Sequence, residues 1–444
     1  MEKIFTELPP TRLFFRCAVP AVITSVFGAL YSVVDGVFVG RYLGENALAA
    51  INLVMPVIMI VEAFANMIAT GASVNMSMLL GEQKRENASR VFSFSVKFII
   101  LFSCVISFLG FFLAEDLVTL VSPRATEEAI ACSVEYLKVY AVFGSLVPIY
   151  FAMDNYLRVC GRQQLSMWIG VLSQLLNVVL DFVLIVILRQ GIASAALASC
   201  ISIVLGSMVM LILFAGNRMS VYYTKENIPI SDFLGMIANG SSEFFSNIAA
   251  SVMSVVMNVF LLKYGGTTAV AAFSVVMYVD SIIGMLNFGI CDSLQPAISY
   301  CYGAGRIDRM KEIFHRVVIA MGIIAVISFM FMRLAGPGIT GIFVKEGETR
   351  LMEMSMTAVR LFSFSYLAGW IDMCFSSCFT ALDRPVRSLI VSLAGSLVFP
   401  VLFLILLTAM WGLNGVWLMA PVSAAASALL TLYLAKTLRW ENNL

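Results

Sequence analysis

Charge is what this sequence has least of. Only 12% of its 444 residues are Asp, Glu, Lys or Arg, about half of what a soluble domain carries. At 60% hydrophobic residues and a mean hydropathy of +0.94, the chain cannot cover itself with polar surface, so its solvent must be lipid. The formal net charge of +1 gives no sign of a nucleic-acid partner, and none is expected. Histidine occurs once, as His315 beside Arg316, and reads as an interfacial residue. The nine cysteines are scattered through apolar stretches with no CxxC pair or Cys/His cluster, so neither a disulfide framework nor a zinc site is indicated. A soluble domain is missing as well, since the longest polar segments are loop-sized. No cofactor and no catalytic constellation are expected. Arg12 and Arg16 precede the first apolar run, and no small-residue cleavage site follows it, so that run is expected to stay as a signal anchor.

What is present is apolar length. A membrane-spanning helix needs about 20 mostly apolar residues. Twelve such runs are read near 13–36, 49–79, 92–114, 133–157, 163–187, 192–215, 233–263, 267–300, 315–335, 353–381, 386–410 and 412–436. The expected fold is an all-α integral membrane protein. With twelve spans, the N-terminus, the even-numbered loops and the C-terminus share one side, which holds 19 of the 28 Lys and Arg residues. Positive-inside bias puts that side, and both termini, in the cytoplasm.

The chain also repeats itself. Gly44-Glu45-Asn46-Ala47-Leu48-Ala49-Ala50 resembles Gly266-Thr267-Thr268-Ala269-Val270-Ala271-Ala272, at an offset of 222 residues. The same offset carries Gly81 to Gly303, Phe92 to Phe314 and Arg162 to Arg384, and one small deletion then carries Gly191 to Gly412. A constant offset across separate loops is hard to obtain by chance. It divides the chain into 1–222 and 223–444. Six helices per repeat, an even number, make the two bundles parallel, related by a pseudo-two-fold axis along the membrane normal. Transporters built this way hold substrate in a central cavity between the lobes.

A charged side chain at mid-bilayer costs about 2.5–3.5 kcal/mol even on lenient insertion scales, so buried charges mark function. Here the candidates are all acids: Asp35, Glu62, Asp154, Asp181, Glu243, Asp280, Asp292 and Asp372. Lys97, Lys138 and Arg360 lie nearer helix ends and can snorkel. An acidic interior favours a cationic cargo or coupling ion. Asn177 and Asp181, four residues apart, set a carbonyl oxygen and a carboxylate on one helix face. With Asp35 as a second carboxylate and Ser199 as a hydroxyl, they form a candidate cation or proton site, and Na⁺ could bind at Asp35, Asn177 and Asp181. The bland alternative is an interhelical hydrogen-bond clamp. Glu243 and Asp372, in the second half, are candidates for a substrate cavity, with mid-helix Glu62 set beside them. Asp154, Asp280 and Asp292 are weighed evenly between cavity and hydrated helix ends. Some of the 26 methionines and 33 phenylalanines could line an adaptable cavity.

These residues resemble the multidrug and toxic compound extrusion (MATE) family of transporters. The resemblance rests on Asp35-Gly36-Val37-Phe38-Val39-Gly40, then Leu43-Gly44 and Ala47 to Ala50. It continues through Gly81, Asn177-x-x-x-Asp181, Gly191 to Ser199, Gln295-Pro296, Ser299-Tyr300, Tyr302-Gly303-Ala304 and Gly412 to Trp417. It implies a secondary active antiporter that exports amphipathic organic cations in exchange for Na⁺ or H⁺ by alternating access. The coupling site it implies falls on Asp35, Asn177, Asp181 and Ser199, and the helix-one hinge on Pro20. Asp372 and, more loosely, Glu243 match acids of the second lobe. The loop Ala381-Leu382-Asp383-Arg384-Pro385 departs from relatives that carry Gly there, and Ser199 stands where Thr is more usual. The resemblance further implies a bacterial inner-membrane protein acting as a monomer, with small organic cations and membrane lipid as its only partners. The competing reading is a flippase for lipid-linked saccharides. Its pyrophosphate cargo calls for a cationic cavity, against the acidic bias.

Overall fold

The computed structural model describes residues 3–121, 126–216, 219–343 and 348–437, and is almost entirely helical. Nine single helices among them are long and apolar enough to span a membrane. Three further features raise the number of candidate spans to twelve. The helix Ile230–Gly303 is broken at Gly266, whose φ of 67° and ψ of −162° are non-helical. Glu127–Phe143 and Val147–Val159 form one span bent by 50°. Thr349–Phe362 continues through a 3₁₀ turn into Tyr366–Ala381. In order, the spans are α1 (Pro10–Leu43), α2 (Glu45–Gly81), α3 (Arg85–Phe112), α4 (127–159), α5 (Gln163–Ile187), α6 (Ile192–Ala215), α7 (230–265), α8 (267–303), α9 (Ile307–Phe343), α10 (349–381), α11 (Pro385–Trp411) and α12 (Leu413–Lys436). Several start six to eight residues earlier than hydropathy predicts, α3 at Arg85 and α9 at Ile307, because their first turns are polar. The short helix Ala114–Val121, with Glu115 and Asp116 at its positive end, falls where a loop is predicted.

The repeat is written in the backbone. Eight described residues have positive φ, and they fall into four pairs: Gly44 and Gly266, Gln83 and Gly305, Gly161 and Asp383, Arg189 and Gly412. The first three pairs keep the 222-residue offset. In the fourth, the left-handed residue of the first half is Arg189 rather than Gly191, whose φ is −69°. Four of the eight end an even-numbered helix with the same cap. The next residue, Lys84, Arg162, Arg306 or Arg384, sends its N–H five residues back to the carbonyl of Leu79, Leu157, Cys301 or Phe379, at 2.8–2.9 Å. This Schellman geometry satisfies carbonyls that the helix end would otherwise leave bare. The basic residue that closes each one also suits the negative end of the helix dipole.

The chain forms two compact units. One comprises Phe15–Gly240 with the residues up to Leu8, the other Ser241–Leu444 with Pro9–Phe14. The boundary thus lies inside α7, eighteen residues past the predicted division. Two glycines explain why the first turns of α7 belong to the first unit. A Cβ on Gly71 of α2 would lie 2.0 Å from the Met236 carbonyl oxygen, and one on Gly240 would lie 1.8 Å from that of Met67. The two helices therefore touch backbone to backbone, as small residues allow in membranes. The segment 219–226, which leads into α7, is strapped along α3. Arg85, Ser89, Ser93 and Lys97, spaced every four residues, form one stripe on that helix. Arg85 donates to the Ser220 carbonyl at 2.7 Å and to that of Met219 at 2.9 Å. Ser89 accepts from Tyr222 N–H, and Ser93 from Thr224 N–H at 2.8 Å. Lys97 donates to the Thr224 carbonyl, and Arg90 pairs with Glu226. In the connection after α10, burial raises the Asp383 carboxyl above its ordinary range, while Arg384 pulls it back.

Each unit has its own apolar core. Val39, Ala50, Val54, Tyr136, Ile185 and Ala196 pack in the first. Met257, Leu261, Val276, Phe362, Leu404 and Trp417 pack in the second. Large apolar side chains also stand outward, among them Val33, Phe108, Ile212, Leu334 and Leu429, as a lipid solvent permits.

Candidate functional site

The first unit gathers four predicted residues at one place. Asn177 and Asp181, one turn apart on α5, are 2% and 0% exposed. Asn177 donates through Nδ2 to Ser199 Oγ on α6 at 3.0 Å. This orients the amide. Asp35, on α1, interacts directly with Asp181. Neither oxygen of Asp181, nor Asn177 Oδ1, has a hydrogen-bond partner of good geometry. Buried acceptors without donors are costly, and an array of oxygen acceptors is what a hard cation or a proton would satisfy. Among the described residues, no group of three or more His, Cys, Asp or Glu side chains is arranged to hold a metal. Any ion here therefore relies on two carboxylates and an amide.

Three tyrosines complete the cluster, and sequence reasoning missed them. Tyr31, one turn before Asp35, places its hydroxyl 3.5 Å from Ser199 Oγ. Tyr136 is buried alongside Asp35 and Tyr31. Tyr140, one turn after Tyr136 on α4, donates to Glu62 Oε1 at 2.9 Å. Glu62 thus sits on α2 in the first unit, whereas Glu243 and Asp372 belong to the second. The available signal was the four-residue spacing of Tyr31 to Asp35 and of Tyr136 to Tyr140. Local helix geometry changes beside the acids. The backbone widens into π-helix at Val39–Leu43 after Asp35 and at Phe182–Ile187 after Asp181. Such widening recurs at functional positions.

The second unit holds a cavity of about 990 Å³, lined by Glu243, Asp280, Asp292 and Asp372 together with methionines, aromatics and many serines. Asp372 on α10 accepts from Thr431 Oγ1 at 2.8 Å. It faces Gly395, in a third π segment at Ala394–Val398; a Cβ there would lie 2.7 Å from Asp372 Oδ2. Asp280 and Asp292, read evenly between cavity and hydrated helix end, both face this space. Asp154 does not. It is paired with Arg158 on its own helix at 2.5 Å and accepts from Ser166. Pro20 lies inside an unbroken α1, and its carbonyl takes the Thr24 hydroxyl at 3.0 Å.

A polytopic helical protein of two repeated units, with buried acids grouped separately in each, has the organisation of a membrane transporter. The chain belongs to the MatE family, whose model matches residues 20–183 and again 244–406, one match per half. It is 26% identical to the multidrug export protein MepA of Staphylococcus aureus strain MSSA476 over 97% of this chain and 95% of that one. Its identity to MepA of Staphylococcus saprophyticus is 27%, over 94% and 92%. The fold is that of MATE in the straight conformation, at a TM-score of 0.91, with 22% identity and coverage of 98% and 97%.

Proposed function

We propose that this protein is a secondary active antiporter that exports amphipathic organic cations in exchange for Na⁺ or H⁺. The observation that carries this reading is the separation of its acids into two groups: a carboxylate pair beside Asn177 and Ser199 in one unit and a roomy cavity lined by four acids in the other. The curated relatives that the chain matches over nearly their whole length are multidrug exporters, which agrees with it. In this reading the cavity takes the cargo and the pair takes the coupling ion. Two carboxylates so close repel when both are ionised. A proton or Na⁺ placed between them removes that repulsion, with Asn177 Oδ1 as an additional ligand for a metal ion. Binding there changes the relative stability of the two access states only to the extent that the site differs between them. Bending of α1 at Pro20, fifteen residues from Asp35, supplies such a difference. The exporter works as a monomer in the bacterial inner membrane with both termini cytoplasmic, and no chemical step is involved.

The test is efflux of a fluorescent organic cation from vesicles, with Na⁺ and pH gradients imposed separately. Transport should follow one gradient and stop when it is collapsed. Absence of transport under either would overturn the proposal. The acidic lining argues against a pyrophosphate-linked cargo.

A further inference from the structure

The acids of the second-unit cavity are not a random scatter. Contacts between α8 and α10 set their relative heights. Tyr366 of α10 lies beside Asp280 of α8. Eleven residues further along both helices, Ser377 Oγ donates to the Cys291 carbonyl at 3.4 Å. The helices therefore run side by side in register. Asp292 follows Cys291 and has Glu243 of α7 as its charge neighbour. Asp372 lies between these levels, six residues after Tyr366 and five before Ser377. At 1.5 Å rise per residue, Asp372 stands six residues, about 9 Å, from the level of Asp280 and six more, about 9 Å, from that of the Glu243–Asp292 pair, or about 18 Å end to end. All four acids line the same cavity.

An independent feature lies between the upper two levels. Ala424 of α12 packs against Gly369, which places the neighbouring Ser423 about one turn above Asp372. Ser423 is 3% exposed, lines the cavity, and its hydroxyl has no hydrogen-bond partner. A buried hydroxyl left unsatisfied beside a cavity is a group prepared for a ligand.

We propose that this ladder of carboxylates makes the cavity selective for elongated dications, whose two cationic ends occupy neighbouring rungs about 9 Å apart while the chain between them runs past Ser423. The inference rests on the cationic-cargo reading above and deepens it. A single cation can neutralise one rung only. A dication of matched length neutralises two in one binding event, so the second contact acts at high effective concentration. A shorter dication cannot span the rungs, and a longer flexible one loses that advantage.

The test uses the purified full-length protein in nanodiscs and a series of α,ω-bis(trimethylammonium)alkanes with about four to about twelve methylenes, alongside alkyltrimethylammonium ions of equal chain length. Affinity should pass through a maximum where the nitrogens stand about 9 Å apart, at least tenfold tighter than the matching monocation. Asp280→Asn and Asp280→Glu should each shift or flatten that maximum, with thermal unfolding showing that both variants remain folded. A steady rise of affinity with chain length, alike for mono- and dications, would overturn the ladder and leave cation export standing. Failure of every cation in both series to bind would remove both proposals.

Discussion

The two units share their turns and helix caps but carry different polar side chains. Their left-handed turns coincide pair by pair, and four helices end in the same cap closed by a basic residue. The side chains that matter do not coincide. Under the 222-residue offset Asp35 and Asp181 fall on Met257 and Phe403, which belong to the second unit's apolar core. In the other direction Glu243, Asp280, Asp292 and Asp372 fall on Ala21, Ile58, Thr70 and Tyr150. The turns and caps persist because helix ends permit few solutions. The polar side chains diverge because each helix face can carry an acid wherever a neighbouring helix leaves room for its charge.

The sharpest way to break the contrast is to remove the pair. Asp35→Asn and Asp181→Asn should each abolish efflux of a fluorescent cation in cells that express the protein at normal levels, and full efflux in both would sink the assignment. Next comes the close crossing of α2 and α7 in the first unit. Gly71→Ala or Gly240→Ala puts a methyl group into a neighbouring carbonyl and should destabilise the first unit by about 1–3 kcal/mol, read as a lowered Tm in detergent. In the second unit, Gly395→Ala should displace the Asp372 carboxylate from Thr431 and weaken cation binding several-fold without comparable loss of Tm; unchanged affinity would remove Asp372 from the cavity chemistry. The strap along α3 comes next. Ser93→Ala leaves the Thr224 N–H without its acceptor, at about 1 kcal/mol, and hydrogen exchange at Thr224 should quicken accordingly. The smallest effect is expected at Asp383. It holds a φ of 52°, where glycine is at ease, so Asp383→Gly should change stability by less than about 1 kcal/mol.

Asp154, Asp280 and Asp292 show where legibility stopped. All three are single acids in apolar helices, and hydropathy treats them identically. Asp154 turned out to satisfy its charge on its own helix through Arg158, a spacing of four that the sequence did contain. Asp280 and Asp292 are neighbours of Tyr366 and Glu243, residues far away along the chain. Asn177 and Asp181 were legible because their relation is local, one helical turn. Ser199 completes their site because α6 packs against α5, as the notion of a shared lobe anticipated without specifying the contact.

By itself, then, the sequence determined the solvent, the count of spans, their duplication and the acidic sign of the interior. These follow from composition and period, which are properties of the chain alone. Tertiary structure decided which acids meet, that four of them line one cavity in the second unit, and that the division between units falls within α7. Those outcomes depend on which faces of neighbouring helices touch, and apolar helices in lipid choose their faces by close packing at small residues such as Gly71 and Gly240, a choice that hydropathy does not record.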